Sequence, residues 1–229
     1  MSSAAAPSAR PAGRQARRAP YQGLIPYTEE DAAYFFGRDA ARAVVLDNLL
    51  AYRVSILFGS SGVGKSSLLR AGVVRRVRDE GRRQIARGDP VEYMALHFST
   101  WSEDPVAGLQ RAIVAALGEI SPQLAEDLPE GGALADTVAA AALRVDGALL
   151  VILDQFEEYF LYHDADGPFI TQLARLLARR DTAASVLIAI REDALARLDA
   201  LAAHMPGLLD NLVRIEHLDR DAARAAITE

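Results

Sequence analysis

Residues 59–66 read Gly-Ser-Ser-Gly-Val-Gly-Lys-Ser, and of the chain's 25 basic side chains Lys65 is the only lysine. A protein that uses arginine everywhere else has kept a compact ammonium where a planar guanidinium does not fit. The run matches the pattern G-x-x-x-x-G-K-S/T, whose glycines let backbone N–H groups turn inward around phosphates. Its Lys reaches the terminal phosphates and its Ser hydroxyl ligates Mg²⁺. Gly59, Ser60, Ser61, Gly62, Val63, Gly64, Lys65, Ser66 and Ser67 are therefore the candidate phosphate-binding residues, for a nucleoside triphosphate. Before the run, Arg53-Val-Ser-Ile-Leu-Phe58 has the apolar, β-branched character of a buried strand. After it, Leu68, Leu69, Val73 and Val77 recur at helical spacing. A strand, a glycine turn and a helix N-terminus form the context in which such a loop binds phosphate.

A second acidic cluster lies about 90 residues on. Ala148-Leu-Leu-Val-Ile-Leu153 is the strongest buried-strand signal in the chain and ends in Asp154, followed by Gln-Phe-Glu-Glu. A carboxylate at such a strand end suits Mg²⁺, which takes one or two carboxylates and keeps several waters. Ser66 and Asp154 are the candidate metal residues. If the chain turns helical after Asp154, Glu157 and Glu158 return to its side within one turn. One of them then polarises the attacking water, with Glu157 placed first and Glu158 second. Arg191 follows the apolar run Val-Leu-Ile-Ala-Ile190, where a guanidinium can meet a γ-phosphate. Its bland alternative is an ion pair with Asp193 or Glu192. His97, His163, His204 and His217 share no metal-ligand spacing and read as core, cap or surface residues. Trp101 reads as a packing anchor at a strand–helix turn.

These residues need a scaffold, and composition bounds it. The net charge of −6 argues against a nucleic-acid-coating surface, and no apolar run approaches the 18 residues of a membrane span. The absence of cysteine excludes disulfides and fits a reducing, cytoplasmic setting. Residues 1–20 hold four arginines, no acids and three prolines, which predicts a disordered tail. From Tyr21 to Gly37 an ordered arm is expected, then a helix capped by Asp39 and running to about Tyr52, with Val44, Val45, Leu46, Leu49 and Leu50 on its apolar face. Arg78 to Pro90 reads as a polar stretch. Further strands are expected near 91–98, 185–190 and 212–215. Helices are expected at 105–117, before Arg144, at 169–179 and at 193–202, and one begins at 220–228 with no stop signal. Strands separated by helices imply an α/β fold with a parallel sheet that binds its ligand at the carboxyl ends of the strands.

Four motifs in order then carry a resemblance. Tyr21 to Asp39 with Phe36-Gly37-Arg38, the phosphate loop, Leu153-Asp-Gln-Phe-Glu-Glu-Tyr-Phe160 and Ala189-Ile-Arg-Glu-Asp193 resemble the novel STAND NTPases, large and mostly bacterial signalling ATPases related to the AAA+ and apoptotic ATPases. The resemblance implies a P-loop NTPase three-layer α/β/α sandwich over residues 21–229, with a five-stranded, mainly parallel sheet. In it the strand bearing Arg191 lies between the phosphate-loop and Asp154 strands. It implies ATP and Mg²⁺ as ligands, with Phe36, Gly37 and Arg38 beside the adenine or phosphates, Asp154 with Glu157 and Glu158 as the Walker B site, and Arg191 as sensor. It also implies a continuation into winged-helix and repeat regions and self-association in the ATP state. One departure is Gln155, where many AAA+ ATPases carry the catalytic Glu, so slow turnover is expected. The competing readings are a small-molecule kinase or a motor-type ATPase, and a module that binds nucleotide for structure only. No arginine-rich lid of the kind a kinase needs follows Asp154.

Overall fold

Runs of apolar, β-branched residues become five strands, and the polar and glycine-rich segments between them become the turns and helices that cover both faces. The computed structural model describes residues 26–129 and 131–217. The tail over 1–20, the first residues of the arm and the helix expected at 220–228 lie outside the described residues. The strands are β1 (Val54–Gly59), β2 (Tyr93–Phe98), β3 (Ala148–Leu153), β4 (Ala184–Arg191) and β5 (Leu212–Arg214). They form one sheet in the order β2-β3-β4-β1-β5, and every pairing is parallel. The strand bearing Arg191 therefore lies between the phosphate-loop strand and the Asp154 strand, as expected.

Two cores follow from the two-residue period of the strands. Ile56, Leu96, Leu149, Val151, Leu153, Val186 and Ile188 face the helices Pro105–Ile120, Leu134–Val145 and Pro168–Ala178. Leu57, Ala95, Leu150, Ile152, Leu187 and Ala189 face the helix Asp39–Ala51 and the helix after the phosphate loop. This gives the three-layer α/β/α arrangement.

Helix ends mostly obey local chemistry. Asp104 Oδ1 accepts from the N–H groups of Val106 (2.9 Å) and Ala107 (3.2 Å), with Pro105 in the first turn. Such a cap contributes about 1 kcal/mol. At the opposite end of the sheet from the phosphate loop, the Arg53 guanidinium donates to the carbonyls of Leu176, Leu177, Arg179, Thr182 and Ala184. It closes the end of the helix Pro168–Ala178 and holds the start of β4 against β1.

Three expectations require correction. The first helix is preceded by Arg38 at the cap position, and Asp39 is its first residue. Of its expected apolar face only Val45 and Leu49 are buried; Val44 and Leu50 are 47% and 50% exposed, because the helix packs through a narrower stripe. The helix after the phosphate loop does not stop before Arg78. It starts with Lys65–Ser67, passes through a π-helical stretch at Leu68–Val74 and continues over Arg75–Arg87 to Gly88 in the left-handed region (φ 77°). Its polar turns are held by ion pairs three and four residues apart, Arg75–Asp79, Arg82–Asp79 and Arg83–Glu80. Arg78 is buried and donates to the Ala95 carbonyl (3.1 Å), to Glu29 (3.0 Å) and to Glu119.

Candidate functional site

Lys65, Ser66, Asp154, Glu157 and Arg191 gather at the carboxyl edge of the sheet. β1 delivers the phosphate loop, β3 delivers Asp154 and β4 delivers Arg191, with Gly59 paired directly to Arg191 in the β1–β4 register. Gly62 (φ 75°) and Gly64 (φ 92°) occupy left-handed backbone that a side chain would strain, so the loop turns back under Val63 and starts the helix at Lys65. Lys65 Nζ donates to the carbonyls of Gly59 (2.9 Å) and Ser60 (3.1 Å), lying across the loop. Burial lowers the Lys65 pKa, partly offset by the carboxylates of Glu157 and Asp154.

Asp154 is 1% exposed. Its backbone N–H donates to the Phe98 carbonyl (2.8 Å), extending the β2–β3 ladder by one bond. Its Oδ1 accepts from the Gln155 N–H (2.9 Å), its Oδ2 lies 3.0 Å from His97 Nε2, and the Ser66 hydroxyl stands near enough to favour the charged carboxylate. Burial pushes the Asp154 carboxyl up. The hydrogen bond and charge of His97, with the Ser66 and Gln155 bonds, outweigh that, so it lies below the usual carboxylate range. Trp101, 1% exposed, donates its indole N–H to the Asp154 carbonyl (2.8 Å). Around it Phe98, Phe156, Tyr159 and Phe169 pack edge-on, with centroids 5.0 to 5.7 Å away.

Gln155 takes left-handed backbone (φ 52°) and turns the chain into a 3-10 turn over Phe156–Glu158. That turn separates the two glutamates. Glu157 Oε2 accepts from the Arg191 N–H (3.2 Å) and lies within electrostatic reach of Lys65 and Asp154. Its pKa is raised by burial, against the pull of its own N–H, the Arg191 N–H and Lys65. Among the described residues no ion pair joins Glu158 to Lys65 or Arg191. The Arg191 guanidinium is turned to Asp193, with Nε 3.0 Å from Oδ1. The ion pair weighed as the bland alternative is thus present, while the backbone of Arg191 still meets Glu157.

Two segments close over the loop. From the N-terminal arm, the Tyr27 N–H donates to the Ser67 hydroxyl (3.0 Å), and Arg38 donates from Nη2 to the Val63 carbonyl (2.7 Å) and from Nη1 to the Glu216 carbonyl (2.6 Å). Phe36 is half-buried and Gly37 has φ 76°. From the sheet, the exit of β5 returns across the loop. The Ile215 N–H donates to the Phe58 carbonyl (2.8 Å), and His217 Nε2 lies 3.3 Å from the Ser60 hydroxyl. Ile215 passes so close that a Cβ on Gly59 would stand 2.5 Å from its carbonyl oxygen.

The loop fits a polyphosphate. Its left-handed glycines precede a helix N-terminus, and its ammonium is held by backbone carbonyls rather than by a carboxylate. The Ser66 hydroxyl and the Asp154 carboxylate meet where a hard cation with oxygen ligands would sit. No group of three or more His, Asp or Glu that could hold a metal occurs among the described residues. No helix among them is long and apolar enough to cross a membrane.

The sequence reading missed four contacts: His97 and Trp101 on Asp154, Tyr27 on Ser67, and the β5 exit over the loop. A polar residue near the end of an otherwise apolar strand was the available signal for His97. Nothing local marks the other three.

Comparisons with known proteins agree with this fold. The model of the Novel STAND NTPase 1 family matches residues 20–229. Among solved structures, the ORC2 protein of Aeropyrum pernix in its ADP form superposes with a TM-score of 0.57 at 19% identity, covering 89% of this chain and 52% of that one. A Walker-type ATPase of Pyrococcus abyssi gives 0.56 at 16% identity, covering 90% and 60%. The ORC1 protein of Aeropyrum pernix in complex with DNA gives 0.51 at 14%, covering 90% and 55%. At such identities the likeness is one of fold, and the chain spans little more than half the length of these structures. No curated protein matches it. With the phosphate loop, the strand order and a family match over almost the whole chain in agreement, the protein belongs to the novel STAND NTPase 1 family of P-loop NTPases.

Proposed function

We propose that the chain is the ATP-binding, slowly hydrolysing core of a STAND-type signalling switch, working in the cytoplasm of a bacterium as part of a larger regulatory or defence protein. The observation that carries this is the meeting of the Ser66 hydroxyl with the Asp154 carboxylate, with Lys65 across the loop and Glu157 within its field. Lys65 leaves its carbonyl partners for the terminal phosphates, and the N–H groups at the start of its helix take the rest of the polyphosphate. Ser66 and Asp154 hold Mg²⁺, which supplies charge neutralisation on the phosphate oxygens. Glu157 orients the attacking water; Glu158 is the second candidate. Arg38, with Phe36 and Gly37, borders the nucleotide from the arm side. Arg191 senses the γ-phosphate once its guanidinium leaves Asp193. In this reading residues 21–229 are the nucleotide domain, joined to winged-helix and repeat regions, and the ATP state of the whole protein self-associates.

A long-lived ATP state is what a switch requires. Gln155 in the turn after Asp154 suits slow turnover, because the carboxylate that aligns water must come from two residues further on. Titration with ATP and ADP, single-turnover hydrolysis and light scattering test the reading together. The chain should bind both nucleotides, turn over well below about 1 s⁻¹ and stay monomeric with either. Turnover above that rate would favour a motor or kinase, and an ATP-specific oligomer of these 229 residues would place the whole switch inside the nucleotide domain.

A further inference from the structure

His97 is a polar residue in the edge strand Tyr93–Phe98, and none of the four motifs includes it. Its side chain is 12% exposed, and its Nε2 lies 3.0 Å from Asp154 Oδ2. A carboxylate only accepts hydrogen bonds, so Nε2 carries the proton and donates. The Gln155 N–H holds the other oxygen at 2.9 Å. With a donor on each oxygen, rotation of the carboxylate plane is restrained beside the Ser66 hydroxyl. The sheet fixes this approach: His97 pairs with Ile152 and Phe98 with Leu153, so the imidazole and the residue after β3 are held in register. Burying an imidazole without a partner is costly, and a Val or Ile would pack the same strand position without that cost.

We propose that His97 is a positioning residue for Asp154, setting the carboxylate for Mg²⁺ on the bound nucleotide. This rests on the assignment of Ser66 and Asp154 as the metal residues. Hydrogen-bond partners of metal ligands typically change metal affinity by about 10–100-fold when removed.

The test measures the affinity of the fluorescent nucleotide mant-ADP for the full chain, in EDTA and across a MgCl₂ series, for wild type, His97→Ala and His97→Gln. The Gln amide can reach the position of Nε2 and donate from it. All three should bind within twofold of one another in EDTA. The Mg²⁺ concentration that half-maximally tightens binding should rise about tenfold for Ala and stay within about threefold of wild type for Gln. His97→Leu, which fills the strand position without a donor, replaces Ala should the smaller residue fail to fold. A Mg²⁺ midpoint for Ala or Leu within twofold of wild type overturns the proposal, as does an equal loss of affinity in EDTA, which would mark a merely structural role. Wild-type binding that ignores Mg²⁺ overturns the metal-site assignment itself, whatever the variants do.

Discussion

Replacing Trp101 by Phe keeps an aromatic ring in the cluster but removes the one N–H that holds the Asp154 carbonyl (2.8 Å). Leaving that buried carbonyl without this donor costs about 1–3 kcal/mol. The smaller ring leaves a void of a few tens of Å³ among Phe98, Phe156, Tyr159 and Phe169, worth roughly 0.5–1 kcal/mol. The sum, about 1.5–4 kcal/mol, corresponds to a fall in Tm of roughly 4–12 °C for a domain of this size. The loss should not be confined to stability. The unheld carbonyl belongs to the turn that presents Asp154 and Glu157, so single-turnover hydrolysis should fall about tenfold. ADP affinity in EDTA should change less than twofold, because the phosphate loop touches none of the altered atoms. Circular dichroism gives the Tm, and mant-nucleotide titration with rapid quench gives the rest; Trp101 is the sole tryptophan, so its own emission is lost with the substitution. A Tm within 2 °C of wild type together with unchanged hydrolysis would show that the indole bond does not hold the turn.

Lys65→Ala should abolish measurable ATP binding, and calorimetry placing its affinity within threefold of wild type would remove the phosphate-loop assignment. Glu157→Gln should leave nucleotide binding intact and slow hydrolysis by about 10²–10⁴-fold, whereas Glu158→Gln should do less; rapid quench decides the order. The same Glu157 variant carries a pH signature in the nucleotide-free chain. Because the folded pKa of Glu157 is raised above its ordinary 4.5, the group favours folding at pH below its unfolded value, and that contribution is lost as pH rises through the folded one. Glu157→Gln should therefore unfold at a higher temperature than wild type at pH 7, and the gap should close towards pH 4. Gly59→Ala would press a Cβ to 2.5 Å from the Ile215 carbonyl oxygen, so the β5 exit must shift at a cost of about 1–3 kcal/mol. Urea unfolding indistinguishable from wild type would mean that the exit gives way freely.

The fold was legible because its signals are local. Ala148–Leu153 is an uninterrupted apolar run, and its observed bounds coincide with the expected ones. The glycine loop likewise carries its own conformational code. The helix over Arg75–Arg87 was hidden because its reason is distributed: Arg78 is buried against Ala95, Glu29 and Glu119, partners that become neighbours only once the sheet has formed. The candidate site divides along the same line. Lys65, Ser66, Asp154 and Arg191 stand in recognisable runs, whereas His97 and Trp101 matter through single atoms placed by the β2–β3 register. Spacing alone places Glu157 ahead of Glu158, and its nearness to Arg191 and Lys65 follows from a left-handed Gln155, a backbone state that single-sequence patterning does not reveal.

The chain leaving β5 has a mechanical consequence. β5 is an edge strand and is paired to β1 through only three residues. A tug on the polypeptide beyond His217 would be carried in series by His217 on Ser60, by Arg38 on Glu216 and by Ile215 on Phe58. Ser60 belongs to the glycine loop and Phe58 to the strand that leads into it, while Arg38 is bonded in turn to the Val63 carbonyl of the loop. A pull at His217 would thus load the glycine loop before the rest of the sheet, and if that loop holds a nucleotide as proposed, its tightening would pull back along the same bonds.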